Sequence, residues 1–248
     1  MIFKELEAEI KKHLLSAYPN EGCGVISKSD GHSRFIPCDN IADDPKTRFQ
    51  IKKQVTRNLH DATLAVIHSH ADGLPCPSAA DMRCQIDSGV PWGLAVTGEN
   101  SCSDLLWFGD QINIKPPLIG RGFCHGVTDC YALIRDWYVI KRGIRLLDFP
   151  RDWEWWKTGQ NLYEKNFSKA RFRKLLPGES PRVRDLCLIK IRSKYINHAA
   201  ILVGKETILH HPSGNLANDS TRLSIREPIG RWLKHIQYWI RFDDKRGA

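Results

Sequence analysis

The sequence predicts two domains of mixed α+β or α/β class, and its length, composition and charge distribution support this. The chain has 248 residues, enough for one large domain or two small ones that each bury a core. Hydrophobic residues make up 42% and charged residues 26%, ordinary values for a globular protein. Residues 1–117 hold 12 Lys and Arg against 15 Asp and Glu, net −3, whereas residues 118–248 hold 25 against 13, net +12. The change falls at Pro116-Pro117, so we expect domains over residues 1–112 and 120–248 and a linker over 113–119.

The net charge of +9 suits a nucleic-acid-binding protein, but no helix-turn-helix, zinc-finger or RNA-binding signature accompanies it, so no nucleic-acid partner is expected. No apolar run approaches the roughly 18 residues of a membrane-spanning helix. The N-terminus mixes acids and bases where a signal peptide needs an apolar core, which predicts folding in a cytoplasm. The eight Cys include no Cys-x-x-Cys pair, which argues against a Cys-rich zinc site.

The first half alternates helices and strands. Phe3, Leu6, Ile10 and Leu14 recur at spacings of three and four, which predicts an amphipathic helix over residues 3–15. Continuous apolar runs bounded by turn residues predict strands. The remaining predicted elements are strands over 23–27, 64–67 and 92–97 and a helix that opens at residues 78–81.

A metal-binding pattern follows the strand predicted over residues 64–67. His68 and His70 are two positions apart at a strand end and point the same way, and Asp81 lies in the first turn of the next helix. Two imidazoles and a carboxylate form a three-ligand zinc site with a fourth position open for water. Ser78 and Asp81 also fit a helix capping box, so a purely structural interpretation stays open.

The spacing His-Ser-His, seven residues, Ser, two residues, Asp resembles the JAMM (MPN) metalloprotease family over roughly residues 1–110. The resemblance implies a mixed sheet with flanking helices and the zinc ligands named above. It also implies that Ser78 supports the oxyanion and that Glu21, just before a Cys-Gly strand, is the general base. Ala71 departs from the Pro usual after the second His. The implied chemistry is zinc-dependent hydrolysis of a peptide or isopeptide bond.

The second half places one cysteine apart from the other seven. Cys130 opens a helix predicted over residues 131–140, with Thr128 or Asp129 as N-cap. The positive end of the helix dipole should lower the pKa of its thiol. Strands predicted over 197–203 and 207–211 bring His198 and His210 close together on neighbouring strands. A thiol, an imidazole base and a second polar group that orients the imidazole form a papain-type arrangement.

The order Cys, His, then His twelve residues later resembles the NlpC-type cell-wall peptidases, papain-like domains with a helix packed on an antiparallel sheet. By this resemblance Cys130 is the nucleophile, His198 the general base and acid, and His210 the orienting residue. The backbone N–H of Cys130 would supply part of the oxyanion hole. In place of the Tyr that many of these peptidases use, the sequence has Cys124-His125. The implied substrate is a peptidoglycan stem peptide.

Further segments resemble the tail assembly protein K family of lambda-like phages, which joins the same two domains in the same order. The matching segments are residues 126–138, 151–156, 159–163, 197–200 and 209–211. Here Arg184-Asp185-Leu186 replaces the family's Gly-Asp-Val. The resemblance implies a tail tip protein that assembles in the host cytoplasm with other tail tip proteins. If it stays in the virion, it would act at the tail tip in the periplasm and cell wall.

Two other functions stay open from the sequence. One is a structural assembly factor in which one or both sites are vestigial. The other is an isopeptidase or acyltransferase that processes proteins, since both superfamilies include such members.

Overall fold

The structure is a computed structural model that describes residues 3–58, 62–112, 115–212 and 214–244. The chain divides into two compact units, residues 1–114 and 115–248. Two domains are therefore present, as the sequence predicts. Residues 113 and 114 of the predicted linker lie outside the described residues, and the detailed boundaries remain a prediction.

The first unit is a mixed sheet with helices, preceded by a 3₁₀ turn at Lys4–Leu6. Its helices are α1 Glu7–Ala17, α2 Lys53–Asn58 and α3 Ala79–Ser88. Its strands are β1 Cys23–Ser29, β2 His32–Cys38, β3 Thr63–Ala71, β4 Trp92–Gly98, β5 Ser101–Cys102 and β6 Leu106–Phe108.

The sheet of the first unit runs in the order β2-β1-β3-β4-β5, with β6 also paired to β4. Only the β3–β4 pair among these is parallel, and α3 provides the crossover between these two strands. Ile10 and Leu14 of α1 pack against Ile26, Ala65 and Ile67 of the sheet. The predicted helix over residues 3–15 is thus present, but its first turn is 3₁₀ and the α-helix continues to Ala17.

The second unit is built around a six-stranded antiparallel sheet in the order β13-β11-β10-β9-β14-β8. Its helices are α4 Cys130–Arg142 and α5 Leu162–Asn166. Its strands are β7 Phe123–Cys124, β8 Phe172–Lys174, β9 Leu186–Ile189, β10 His198–Gly204, β11 Thr207–His210, β12 Asn218–Asp219, β13 Ile225–Pro228 and β14 Ile236–Phe242. The short strands β7 and β12 pair with each other.

Successive residues of β10 point to opposite faces of the sheet and pack in two different apolar layers. Ala199 and Ile201 pack in the cluster that contains Leu133 and Tyr138 of α4, whereas Ala200 and Leu202 pack on the opposite side with Trp232. The sheet is therefore covered on both faces. The predicted helix and the two predicted strands of this unit correspond to α4, β10 and β11.

The helices are short; α4 has 13 residues and α1 has 11. In the described ranges, none of them combines the length and the apolar character that crossing a membrane requires.

We expect a fragment of residues 115–248 to fold without the first unit, because its sheet is packed on both faces by residues of its own unit. The measurement is thermal unfolding followed by near-ultraviolet circular dichroism, which should show one cooperative transition. A fragment that begins at Ile134, within α4, serves as the control and should not fold. Absence of a cooperative transition in the 115–248 fragment would show that its core depends on the first unit.

Candidate active sites

Two histidines at the carboxyl end of β3 face a carboxylate from α3. His68 Nε2 lies 3.5 Å from Asp81 Oδ1, and His70 Nε2 lies 3.2 Å from Asp81 Oδ2. One possible ligand atom from each of the three residues lies within 4.8 Å of the other two. The structure thus brings together the three residues that the sequence predicts as metal ligands.

His70 is held in one tautomer by a backbone carbonyl. Its Nδ1 lies 2.9 Å from the carbonyl oxygen of Leu74 and donates to it, while its Nε2 lies 3.2 Å from Asp81 Oδ2, so the ring is held on both sides. A Cβ at Gly73 would lie 2.8 Å from the Cβ of His70, so this tight turn requires glycine. Histidines that bind metals through one nitrogen commonly donate the other N–H to such a carbonyl.

His68 is fully buried, and neither of its ring nitrogens makes a hydrogen bond. Its ring stacks on Phe49, with centroids 4.8 Å apart, and meets Trp92 edge-on at 5.5 Å. Buried polar atoms without partners are uncommon because nothing compensates the loss of water. A cation bound to the imidazole would compensate it, and two imidazoles with one carboxylate suit Zn²⁺. The donor set therefore fits zinc.

Ser78 and Asp81 form a complete capping box at the start of α3. The Ser78 hydroxyl accepts from the Asp81 N–H at 3.1 Å and donates to Asp81 Oδ2 at 2.7 Å, while the Ser78 N–H donates to the same oxygen at 2.8 Å. The capping-box interpretation of these residues is confirmed. Burial opposes ionisation of Asp81, but the two imidazoles outweigh burial and hold the pKa of this carboxyl well below its usual range.

Glu21 lies beside the histidine cluster on the chain that leads into β1. Cys23 pairs with His68, and Gly22 bonds to Ser69 through both its N–H and its carbonyl, so the same register brings Glu21 opposite His70. Glu21 is buried. Burial raises the pKa of its carboxyl to about 7, with the charge of Asp81 adding to the rise and His70 opposing it. A carboxylate with a pKa near neutrality is suited to act as a general base.

In the second unit, Asp129 fixes the start of α4 and thereby the position of Cys130. Its Oδ1 accepts from the backbone N–H groups of Tyr131 and Ala132 at 3.1 and 2.9 Å. The buried guanidinium of Arg151 binds both carboxylate oxygens, at 2.8 and 3.1 Å. His125 lies 3.1 Å from the carbonyl oxygen of Arg151, so it supports this ion pair. The cap thus places the thiol at the N-terminus of α4, as predicted.

A chain of hydrogen bonds runs from a carboxylate to His198. His210 Nε2 lies 2.6 Å from Glu227 Oε1, and His198 Nε2 lies 2.9 Å from His210 Nδ1. An ionised carboxylate only accepts, so His210 donates from Nε2 and its Nδ1 accepts from His198. The proton of a neutral His198 is consequently on Nε2, and its Nδ1 lone pair is free. Arg231 and Trp232 also donate to Glu227 and hold it in place.

The Cys130 thiol contacts a tyrosine hydroxyl that the sequence does not predict. Its Sγ lies 3.2 Å from the hydroxyl of Tyr163, a residue of α5. Burial raises the pKa of the Cys130 thiol and the charge of Asp129 adds to this, although Tyr163, the backbone of Ala199 and Arg222 act in the opposite direction. The prediction that the helix dipole lowers the pKa of this thiol is therefore wrong for the resting protein. The loss of water around the buried sulfur has the larger effect.

Burial also lowers the pKa of His198 well below its usual value, and the neighbouring charges of His210 and Arg222 reinforce this. At neutral pH the resting pair is accordingly a neutral thiol and a neutral imidazole. Proton transfer from Cys130 to His198 must then accompany attack on a substrate.

Cys130 and His198 line a cavity of about 900 Å³. His210 is fully buried and supports His198 from outside the lining. Aromatic side chains form much of the wall, including Phe123, Trp153, Trp155, Trp156 and Trp232. The cavity is large enough for a short peptide and is open to both predicted reacting groups.

Three residues of this site were not found from the sequence. Tyr163 lies in a segment that resembles the tail assembly protein K family, but nothing local indicates that its hydroxyl reaches Cys130. Glu227 and Arg222 come from the segment after β11, where no motif marks them. Asp185, which sequence comparison singled out, is buried and paired with Arg241 at 2.7 Å, so its role is structural.

Both units match known families. Residues 3–107 match the prokaryotic homologues of the JAB domain, and residues 118–230 match the NlpC/P60 family. The tail tip assembly protein K of Escherichia phage lambda is 40% identical over 148 residues, which cover 60% of this chain and 69% of that protein. The tail tip assembly protein K of Escherichia phage N15 is 29% identical over 248 residues, which cover 96% of this chain and 94% of that protein.

Similarity to solved structures is weaker. The crystal structure of an NlpC/P60 family protein from Bacillus cereus is 12% identical, with 93% of this chain and 66% of that chain covered and a TM-score of 0.30. A score this low does not establish a shared overall arrangement.

Glu227→Gln should slow the alkylation of Cys130 by iodoacetamide near pH 7 by about 10- to 100-fold, the effect of losing one hydrogen bond to a charged group. The glutamine removes the negative charge that stabilises a protonated His198 through His210, so the thiolate forms only at higher pH. Peptide mass spectrometry, which separates Cys130 from the other cysteines, gives the rate at each pH. Glu206→Gln removes the same charge from an exposed turn and should leave the rate unchanged. Equal rate profiles for Glu227→Gln and the parent protein would refute this role of Glu227.

Proposed function

The chain belongs to the tail tip assembly protein K family, and on that premise we propose that its second unit is a cysteine endopeptidase that cleaves peptidoglycan stem peptides. The observation that carries the proposal is the hydrogen-bond chain from Glu227 through His210 to His198, which leaves a basic nitrogen free beside a cavity that also contains Cys130.

The proposed reaction begins when His198 Nδ1 takes the proton of the Cys130 thiol as sulfur attacks the scissile carbonyl carbon. His198 becomes positively charged, and His210 and Glu227 stabilise that charge through the hydrogen bonds described. The backbone N–H of Cys130 stabilises the oxyanion, and the Tyr163 hydroxyl orients the sulfur. His198 then returns the proton to the leaving amine, and a water molecule activated by His198 hydrolyses the thioester.

Family membership and charge support a role at the cell wall. The relatives carry the name tail tip assembly protein K, which supports assembly with other tail tip proteins in the host cytoplasm. The net charge of +12 over residues 118–248 favours approach to an anionic cell envelope. We therefore place the peptidase at the tail tip, where local cleavage of stem peptides would open the wall as the tail passes through it.

For the first unit we propose a zinc-dependent peptidase or isopeptidase, because the buried ring nitrogens of His68 make no hydrogen bond within a donor set that fits zinc. His68, His70 and Asp81 would hold the ion, which would supply Lewis-acid activation of a water and a carbonyl group. Glu21 would accept the proton of that water. Ser78 orients Asp81 through its hydroxyl, and that hydroxyl would support the oxyanion during the reaction. A tail protein processed during assembly is the proposed substrate.

The alternatives make different predictions for these sites. A structural factor with vestigial sites needs neither a reactive Cys130 nor bound zinc. An isopeptidase or acyltransferase would act on proteins and leave peptidoglycan intact. The two experiments below separate these cases.

Purified protein should release shorter stem peptides from peptidoglycan, and Cys130→Ser should abolish the release because serine is a far weaker nucleophile in this setting. Mass spectrometry of the digests measures the products. Cys84→Ser changes an exposed thiol outside the cavity and should digest like the parent protein. Identical digests from parent and Cys130→Ser would rule out the proposed cysteine peptidase.

The protein should bind about one zinc per chain, as expected for a single three-ligand site. His70→Ala should lose most of the metal, since it removes one of three ligands. His32→Ala, which alters an exposed histidine of β2, should keep it. Inductively coupled plasma mass spectrometry after zinc-replete purification gives the ratio. Absence of zinc from the parent protein, or undiminished zinc in His70→Ala, would exclude this site.

A further inference from the structure

The chain between β2 and α2 is organised around one polar side chain. Residues 39–52, which are all described, form neither helix nor strand, and Asn40 lies half-buried near their start. Its amide nitrogen faces three carbonyl oxygens, those of Glu21 at 2.9 Å, Arg48 at 3.0 Å and Pro45 at 3.4 Å. Its amide oxygen accepts from two backbone N–H groups, those of Ala42 at 3.0 Å and Gln50 at 3.1 Å. One side chain therefore supplies partners to backbone groups that regular structure does not satisfy.

The segment is attached to the chain beside the metal site. Glu21 lies just before β1, and both of its backbone polar groups bond to this segment. Its N–H donates to the carbonyl of Pro45 at 2.7 Å, and its carbonyl accepts from Asn40. The segment is thus anchored at the residue that lies next to the histidine cluster.

Asn40 also bonds to the peptide groups on both sides of Phe49. The Arg48 carbonyl and the Gln50 N–H belong to the two peptide units that flank Phe49, and both bond to the Asn40 amide. The Phe49 ring stacks on the His68 imidazole, with centroids 4.8 Å apart and planes inclined by 24°. The place of this ring on His68 therefore depends on the hydrogen bonds of Asn40.

The orientation of the His68 ring depends in turn on aromatic packing. Neither ring nitrogen of His68 makes a hydrogen bond, and Nε2 faces Asp81 Oδ1 at 3.5 Å. Phe49 covers one face of the imidazole, and Trp92 meets it edge-on at 5.5 Å. Metal-binding histidines commonly have a hydrogen-bonded partner that sets the orientation of the ring. For His68 the aromatic contacts take that role.

We propose that Asn40 is a positioning residue of the metal site, which acts on His68 through Phe49. The inference rests on the proposed zinc site. Without the Asn40 amide, the two peptide groups beside Phe49 lose a shared partner, and the ring is no longer held against His68. The imidazole can then turn about its side-chain bonds, so one of the three ligands loses its fixed direction toward the other two.

The test compares the zinc affinities of the full chain and its variants, measured by competition with a chromogenic chelator. Asn40→Ala should weaken zinc binding by about 10- to 100-fold, the usual cost of losing a group that orients a metal ligand. Phe49→Ala should weaken it to a similar extent. Because both changes release the same imidazole, the double variant should bind zinc about as the single variants do, whereas independent effects would add. Asn100→Ala alters an exposed turn after β4 and should bind zinc like the parent protein.

A second readout separates positioning from general stability. Cobalt(II) takes the place of zinc, and its visible absorption spectrum depends on the geometry of its ligands. At saturating cobalt the parent protein and Asn100→Ala should share one spectrum, and Asn40→Ala and Phe49→Ala should share a different one. A loss of stability alone leaves the spectrum of the saturated protein unchanged. If Asn40→Ala does not fold, Asn40→Ser takes its place in both measurements.

The outcomes distinguish this inference from the proposed zinc site. Zinc binding by the parent protein with unchanged affinity and spectrum in Asn40→Ala would overturn the inference alone. Additive losses of affinity in the double variant would overturn it as well, because Asn40 would then not act through Phe49. A parent protein that binds no zinc would contradict the zinc site and the inference together.

Discussion

In the site of the second unit, the carboxylate of Glu227 determines which ring nitrogens of the two histidines carry hydrogen. Glu227 only accepts hydrogen bonds, so its 2.6 Å contact to His210 fixes which nitrogen of that ring carries hydrogen, and the 2.9 Å contact to His198 passes the constraint on. Without Glu227, either imidazole could take either tautomer, and half of the combinations would leave His198 unable to accept a proton from Cys130. In the first unit Asp81 has a similar role, because its two oxygens face two imidazoles. Both sites thus depend on a carboxylate kept ionised by its neighbours.

Strand geometry explains how short segments bring these groups together. In the first unit the two-residue period of β3 places His68 and His70 on one face, and the parallel crossover returns α3 over that end of the strand. In the second unit His198 begins β10 and His210 ends β11, so an antiparallel pair brings the two rings to one end of the sheet. The next residues of β10 alternate between two apolar layers. In each unit, a strand that packs in the core therefore also carries a histidine of the site.

The parts of the fold and sites that are local in sequence could be predicted, and the non-local parts could not. The helix that starts at Cys130 and the His-x-His pattern are each encoded within about ten residues, and their periodicity is enough to identify them. Glu227 reaches His210 because β13 pairs with β11, and Tyr163 reaches Cys130 because α5 packs near α4; neither pairing has a sequence signal. The pKa of the Cys130 thiol was misjudged for a related reason. The helix dipole is visible in the sequence, whereas the burial that outweighs it depends on the whole fold.

The partners of individual arginines say more about the second unit than its net charge of +12 does. Buried Arg121 and Arg151 and the partly buried Arg241 each have a carboxylate partner, at 2.6, 2.8 and 2.7 Å. Removing a guanidinium from water without such a partner costs several kcal/mol, so an unpaired one persists only where the fold holds it. Arg222 is held in this way by Phe123, Pro212 and the space at Gly214.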